Sequence, residues 1–377
     1  MLENLPESDK PQIFGFTSLV ILPIIVILLL VGIFFWKFYG FGNLTNITNS
    51  GKRLLNWNQE NSTTALSSGQ AVNNPKTFEF QEITIPDLRA RTYQSKLGGL
   101  EIFSEGPNYT SYLTSYDSDG YRINGFLTIP KGGSAGEKFP AIVFVHGYIP
   151  PTLYKTTVNY ISYVDYLAKN GFVVFKIDLR GHDESEGGAG GAYYSDDYVV
   201  DTLNAVDALK KSDFVDPGAV GLWGHSMAGN VTFRSFVVAK NIPAIVIWAG
   251  AGYTYTDLQD YMINDNSYQP QPTGTQRARD RQRLRDAYGD FDPENWFWKQ
   301  VPATNYLDGV TGAIQLNHAV DDNVVSIDYS RNLMKVLDDS QIKHELNEYP
   351  IGGHNLTGSS FNQAMQKTVE FFKTNLP

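Results

Sequence analysis

The sequence predicts an α/β fold with a mostly parallel central sheet and helices on both of its faces. Three observations predict it. Five short apolar runs, "AIVFV" (141–145), "FVVFKID" (172–178), "AVGLWG" (219–224), "AIVIWA" (244–249) and "AIQLNH" (313–318), are rich in β-branched residues and nearly continuous. Such runs suit strands covered on both faces rather than strands with one wet side. Helical patterns lie between them, and alternating strand and helix implies parallel pairing with crossovers on each face. The chain has 377 residues, 42% of them hydrophobic, enough for one large core with appendages.

Taken in order, the first element stands apart from that core. Residues 1–12 form a short tail, and the run from Ile13 to Trp36 carries no charge. As a helix it would cover roughly 36 Å at about 1.5 Å per residue, long enough to cross a bilayer. The tail before it is acidic and no A-x-A-like cleavage site follows, so a retained single-pass membrane helix is expected rather than a signal peptide. Residues 37–76 are rich in Asn, Ser, Thr and Gly and read as a flexible polar linker. Lys10 on one side of the run and Lys37, Lys52 and Arg53 on the other give no clear orientation. An anchor followed by a stalk fits a domain held outside the cytoplasm.

Residues 77–377 form the expected folded domain. Two strand-like runs in 109–130 flank Asp119-Gly120, a hairpin signal. "YISYVDYLAKNG" ends on a glycine stop. "DDYVVDTLNAVDALKK" places acids first and lysines last, matching the helix dipole. Residues 251–306 separate two predicted strands by far more than one crossover needs. A partly helical cap over the C-terminal edge of the sheet is expected there, where such folds place ligands. Its arginines 277, 279, 281, 283 and 285 read as a solvated face moderated by Asp280 and Asp286, with contact to an anionic substrate or partner as the alternative. Trp296, Phe297 and Trp298 read as packing rather than as a substrate pocket.

Composition narrows the chemistry. There are no cysteines, which excludes disulfides and thiolate sites. The formal net charge of −10 disfavours nucleic-acid binding. No phosphate-cradling G-x-x-x-x-G-K-[ST] and no H-E-x-x-H is present, and neither a metal nor a cofactor is expected.

"VGLWGHSMAGN" (220–230) supplies a candidate nucleophile. Gly224 and Ser226 fit the first and third positions of G-x-S-x-G, Ala228 takes the place of the last glycine, and a strand precedes and a helix follows. That strand–turn–helix context raises the Ser226 hydroxyl above the sheet and aims the Met227 N–H at a developing oxyanion. A serine needs a base. Of the six histidines, those after the serine are His318, His344 and His354. His318 ends a strand, and His344 sits in a strand-like alternation. His354 lies in the glycine-bearing loop "PIGGHNL" and is the candidate base. The acid that orients it must lie between serine and histidine, and "NHAVDDNVV" offers Asp321 and Asp322, which spacing alone does not separate. A second oxyanion donor is expected at "FVHGY", from the Tyr148 N–H or its phenol, with His146 orienting the loop. Asp178, Arg180 and His182 in "DLRGHDESEG" read as a hydrogen-bonded loop scaffold.

Together "FVHGY", "DLRGHDESEG", "VGLWGHSMAG", "NHAVDDNVV" and "YPIGGHNL" resemble α/β-hydrolases, and in particular the catalytic domain of prolyl-oligopeptidase-like serine peptidases, over residues 109–377. The resemblance implies a Ser226–Asp322–His354 triad, because the family's H-G-x-x-D-x-x-V-P begins at His318 and sets the acid at Asp322. Ala319 and Ser326 depart from that pattern and keep Asp321 as a second choice. Only about 30 residues separate the linker from the first hairpin, fewer than one propeller blade of roughly 40. The expected protein is a membrane-anchored serine hydrolase acting on peptides. The alternatives are a carboxylesterase with the same triad and a catalytically silent binding protein on a hydrolase scaffold.

Overall fold

In the computed structural model, which describes residues 76–132, 136–261, 263–264 and 276–377, one mixed sheet runs through the domain. Its strands are β1 (Glu101–Glu105), β2 (Tyr109–Ser118), β3 (Tyr121–Pro130), β4 (Phe139–Val145), β5 (Val173–Ile177), β6 (Val215–His225), β7 (Ala244–Trp248), β8 (Ala313–Ala319) and β9 (Lys343–Tyr349). They lie in the order β1-β2-β3-β5-β4-β6-β7-β8-β9. The first three are antiparallel, β3 meets β5 antiparallel, and β4 to β9 run parallel. The hairpin between β2 and β3 turns at Asp119 (φ 54) and Gly120 (φ 82). Both are left-handed, as a primed two-residue turn requires.

The five apolar runs form β4 to β8. Every residue of β5, β7 and β8 is buried, which explains why these strands show continuous apolar runs instead of alternation. β9 is an edge strand with mixed exposure. β6 starts at Val215, earlier than its apolar run, and its first residues meet β4 through a register shift between Phe139 and Ala141.

The helices are α1 (Ile85–Ala90), α2 (Ile161–Lys169), α3 (Asp197–Lys210), α4 (Ala228–Ala239), α5 (Asp257–Asp260), α6 (Gln276–Tyr288), α7 (Asp328–Asp338) and α8 (Ser359–Asn375). Alternating strand residues divide them between two layers. Val143, Leu222, Ile245 and Ile247 share a core cluster with Val199 of α3 and Val231 and Phe233 of α4. On the opposite face Phe144 stacks on Trp223 at 4.1 Å, and Trp223 and Trp248 meet Tyr163 of α2 at 5.4 and 5.5 Å. Phe361 of α8 closes this second layer against Trp248.

The segment 251–306 contributes α5, α6 and two short 3-10 turns to the described residues. Phe297 and Trp298 are buried there with Tyr255, Leu284, Val301 and Ile83 in a small satellite core, so they serve packing as read, while Trp296 is 56% exposed. The N-terminal tail, the apolar run 13–36 and the linker up to residue 75 lie outside the described residues. No helix among the described residues is long and apolar enough to cross a membrane.

Candidate active site

Ser226 stands in the turn between β6 and α4, with φ 56. A non-glycine residue in that region costs about 1–3 kcal/mol and persists only where its surroundings enforce it. Here they do. The Ser226 N–H donates to Trp248 O at 2.9 Å, and the Gly229 N–H donates to Ser226 O at 2.8 Å. Gly224 makes the turn possible, because a Cβ there would overlap Thr232 Oγ1 and come within 2.8 Å of Ala228 O. Ala228 opens α4 fully buried, so the small side chain at the departing motif position is accommodated.

Two loops deliver partners to this serine. His354 Nε2 lies 2.9 Å from Ser226 Oγ, and His354 Nδ1 lies 2.9 Å from Asp322 Oδ2. A carboxylate only accepts, so Nδ1 carries the proton and Nε2 is left to accept from the Ser226 hydroxyl. The Asp322 side chain is fully covered. Burial pushes its carboxyl upward, but donors from His318, His354 and the Val325 N–H outweigh that and hold it well below the usual carboxylate range. The Val324 and Val325 N–H groups donate to its Oδ1 at 2.9 and 3.0 Å. His318 Nε2 faces both Asp322 Oδ2 and Val325 O, while its Nδ1 meets Ser330 Oγ, so a neutral His318 donates toward the acid. Asp321 points elsewhere: its Oδ1 accepts from the Gly353 N–H at 2.8 Å, bracing the loop that carries His354.

A second layer was not foreseen from the sequence. Tyr160 OH accepts from the Gly147 N–H at 3.1 Å and lies 2.8 Å from His225 Nδ1. His225 Nε2 lies 2.9 Å from His354 O. A neutral His225 satisfies all of this by accepting from Tyr160 and donating to His354, and burial, aided by the neighbouring His354, lowers its pKa to about 3. One chain of hydrogen bonds thus ties the loop after β4 to the backbone of His354. The signal for His225 was its position two residues past Trp223, which puts both on one face of β6. A Cβ at Gly147 would press on Tyr160 OH at 2.7 Å, so this contact needs glycine.

Tyr148 and Met227 line a cavity of about 240 Å³ at Ser226, together with Tyr193, Tyr194 and Arg281. Met227 caps α4, where backbone N–H groups lack intrahelical acceptors. The remaining candidates are scaffold. His146 sits between Gly147 O and Asp178 O, fully buried. Asp178 accepts from Tyr154 OH and Thr156 Oγ1. Arg180 pairs with Asp201 at 2.7 Å and Asp197 at 2.8 Å. His182 is buried near Arg180 O, and His344 bonds locally to Ile342 O and Asp338.

Residues 136–262, about a third of the chain, match the family model described as serine aminopeptidase, S33. An uncharacterized peptidase, YuxL, of Bacillus subtilis is 28% identical over 207 residues, covering 47% of this chain and 30% of that protein. The chain therefore spans less than a third of that relative's length. Among solved structures, acetyl xylan esterase 1 from Thermoanaerobacterium sp. JW/SL YS485 is similar with a TM-score of 0.53 at 20% identity, over 79% of this chain and 95% of that one. Pyrococcus horikoshii acylaminoacyl peptidase is similar with a TM-score of 0.55 at 21% identity, over 73% of this chain and 43% of that one. The chain has the α/β-hydrolase fold and is similar to serine peptidases, prolyl-oligopeptidase-like ones among them, and to esterases of that fold.

Proposed function

We propose that the protein hydrolyses acyl bonds through Ser226, His354 and Asp322, and that its substrates are peptides. The observation that carries this is the unbroken chain from Ser226 Oγ through His354 to the covered Asp322 carboxylate, with the serine on a strained turn. Ser226 Oγ attacks the substrate carbonyl carbon while His354 Nε2 takes its proton. Asp322 holds the imidazole tautomer and stabilises the imidazolium without becoming protonated. The N–H groups of Met227 and Tyr148 donate to the tetrahedral oxyanion. Collapse expels the leaving group with the proton from His354, leaving an acyl-serine. Water, deprotonated by His354, then attacks the ester and restores the free serine.

The peptide assignment draws on the peptidase relatives and the motif resemblance. A second reading, an esterase, is favoured by the likeness to an acetyl xylan esterase over nearly the whole of that chain. Parallel assays with aminoacyl and peptidyl anilides and with short-chain p-nitrophenyl esters test the two, with Ser226→Ala as the blank. Cleavage of anilides supports the peptidase; ester turnover without any amide cleavage replaces it with the esterase.

The apolar run 13–36 is proposed as a single-pass anchor that holds the catalytic domain outside the cytoplasm, on the strength of its length and lack of charge. The full chain should remain in the membrane pellet after alkaline carbonate washing, with the domain open to protease added outside intact cells. Release by carbonate would overturn the anchor.

A further inference from the structure

Arg281 lies on α6, within the segment between β7 and β8. It lines the cavity at Ser226 and also a second cavity of about 530 Å³. Tyr193 and Tyr194 line both as well, so these three side chains form the wall between the two spaces. Two neighbouring arginines of the helix are engaged with acids. Arg283 pairs with Asp280 at 3.3 Å and Glu79 at 3.8 Å, and Arg285 with Asp290 at 3.2 Å. Arg281 instead rests its guanidinium 5.7 Å from the centre of the Tyr194 ring. Among the described residues, every other side chain lining the Ser226 cavity is uncharged, and Ala251, Leu258, Ile263 and Val325 are apolar.

A half-buried cation in an otherwise neutral, largely apolar cavity acts on a charged ligand more strongly than it would in open water. Its planar fork suits a carboxylate, which it can hold with two parallel hydrogen bonds. The larger cavity beyond the wall carries Glu79, Glu82, Asp196, Asp197 and Asp280 against Lys76 and Arg283, so acids outnumber bases there and the balance disfavours an anion. An anionic group is thus favoured on the Ser226 side and opposed beyond it.

We propose that Arg281 is a specificity-determining residue, selecting substrates that carry a carboxylate a few bonds from the scissile carbonyl. The inference rests on the hydrolase reading above. It predicts a short anionic substituent, because the cavity that Arg281 shares with Ser226 is small.

The test compares matched esters on the full chain. One pair differs on the acyl side, p-nitrophenyl butyrate against mono-p-nitrophenyl succinate. The other differs on the leaving group, phenyl acetate against 4-carboxyphenyl acetate. Each is corrected for spontaneous hydrolysis with Ser226→Ala. The readout is the ratio of kcat/KM for the anionic to the neutral member. A charge-assisted contact predicts a ratio shift of about 10- to 100-fold toward the neutral ester in Arg281→Gln for at least one pair. Arg281→Lys should retain part of the preference, and Arg283→Gln should keep the wild-type ratio. Turnover of both pairs with ratios that Arg281→Gln leaves unchanged overturns the inference and spares the hydrolase reading. Absence of turnover above the Ser226→Ala blank, for these esters and for anilides alike, overturns both.

Discussion

Replacing Asp322 by Asn removes one charge and one acceptor from the most constrained point of the site. In the native arrangement Oδ1 takes the Val324 and Val325 N–H groups, and Oδ2 faces His354 Nδ1 and His318 Nε2. The amide has two orientations. With its oxygen kept on the two backbone donors, its NH₂ faces His354 Nδ1. That nitrogen can then only accept, so the imidazole proton moves to Nε2, which can no longer take a proton from Ser226. Flipping the amide restores the tautomer but strands two backbone N–H groups, at about 1–3 kcal/mol for each buried one. The first orientation is therefore favoured, and kcat should fall by about 10⁴, the loss seen when a triad acid becomes an amide. That corresponds to about 5.5 kcal/mol of barrier. The assay is turnover of p-nitrophenyl butyrate, with thermal melting to verify folding. Asp321→Asn keeps an oxygen for the Gly353 N–H and should remain close to the wild-type rate. A folded Asp322→Asn protein with a near-native rate, or a larger loss from Asp321→Asn, would refute the reasoning.

Three further outcomes follow from the same geometry. Tyr160→Phe leaves the Gly147 N–H and His225 Nδ1 without their shared hydroxyl, so it should lower stability by about 1–3 kcal/mol and reduce kcat; an unchanged melting temperature would contradict the bridge. Gly224→Ala drives a Cβ into Thr232 Oγ1 and Ala228 O, so it should cost about 1–3 kcal/mol and misalign the turn; melting and turnover at wild-type values would contradict the close approach. The folded Asp322 carboxyl ionises below its unfolded value of about 3.9, so its stabilisation is present above that pH and is lost as pH falls through the depressed folded value. Denaturant titrations from about pH 4 down to pH 2 should show a shallower loss in Asp322→Asn than in wild type, and parallel slopes would count against the depressed value.

The strands legible in the sequence are those whose burial leaves a mark. β5, β7 and β8 are buried at every residue and so appear as unbroken apolar runs. β1 was not legible: Ile102 and Phe103 are exposed at 48% and 39%, so neither a run nor an alternation marks this edge strand. Ser226 and His354 could be located because turn chemistry is local. Asp321 and Asp322 could not be separated by spacing, since adjacent residues in a loop face different ways for reasons set by the fold. Tyr160 left no local signal, because its partner His225 lies 65 residues away. The arginines of α6 show the same limit. A solvated face describes Arg283 and Arg285, whereas only the packing of α6 near Ser226 distinguishes Arg281.

The central claim is that one serine among many is made nucleophilic by its histidine and acid. Treatment of the full chain with a fluorophosphonate, followed by peptide mass mapping, tests it directly. A single phosphonylated peptide bearing the adduct at Ser226, absent in His354→Ala, is the predicted result. An unlabelled wild-type protein, or an adduct on a different serine, would contradict it.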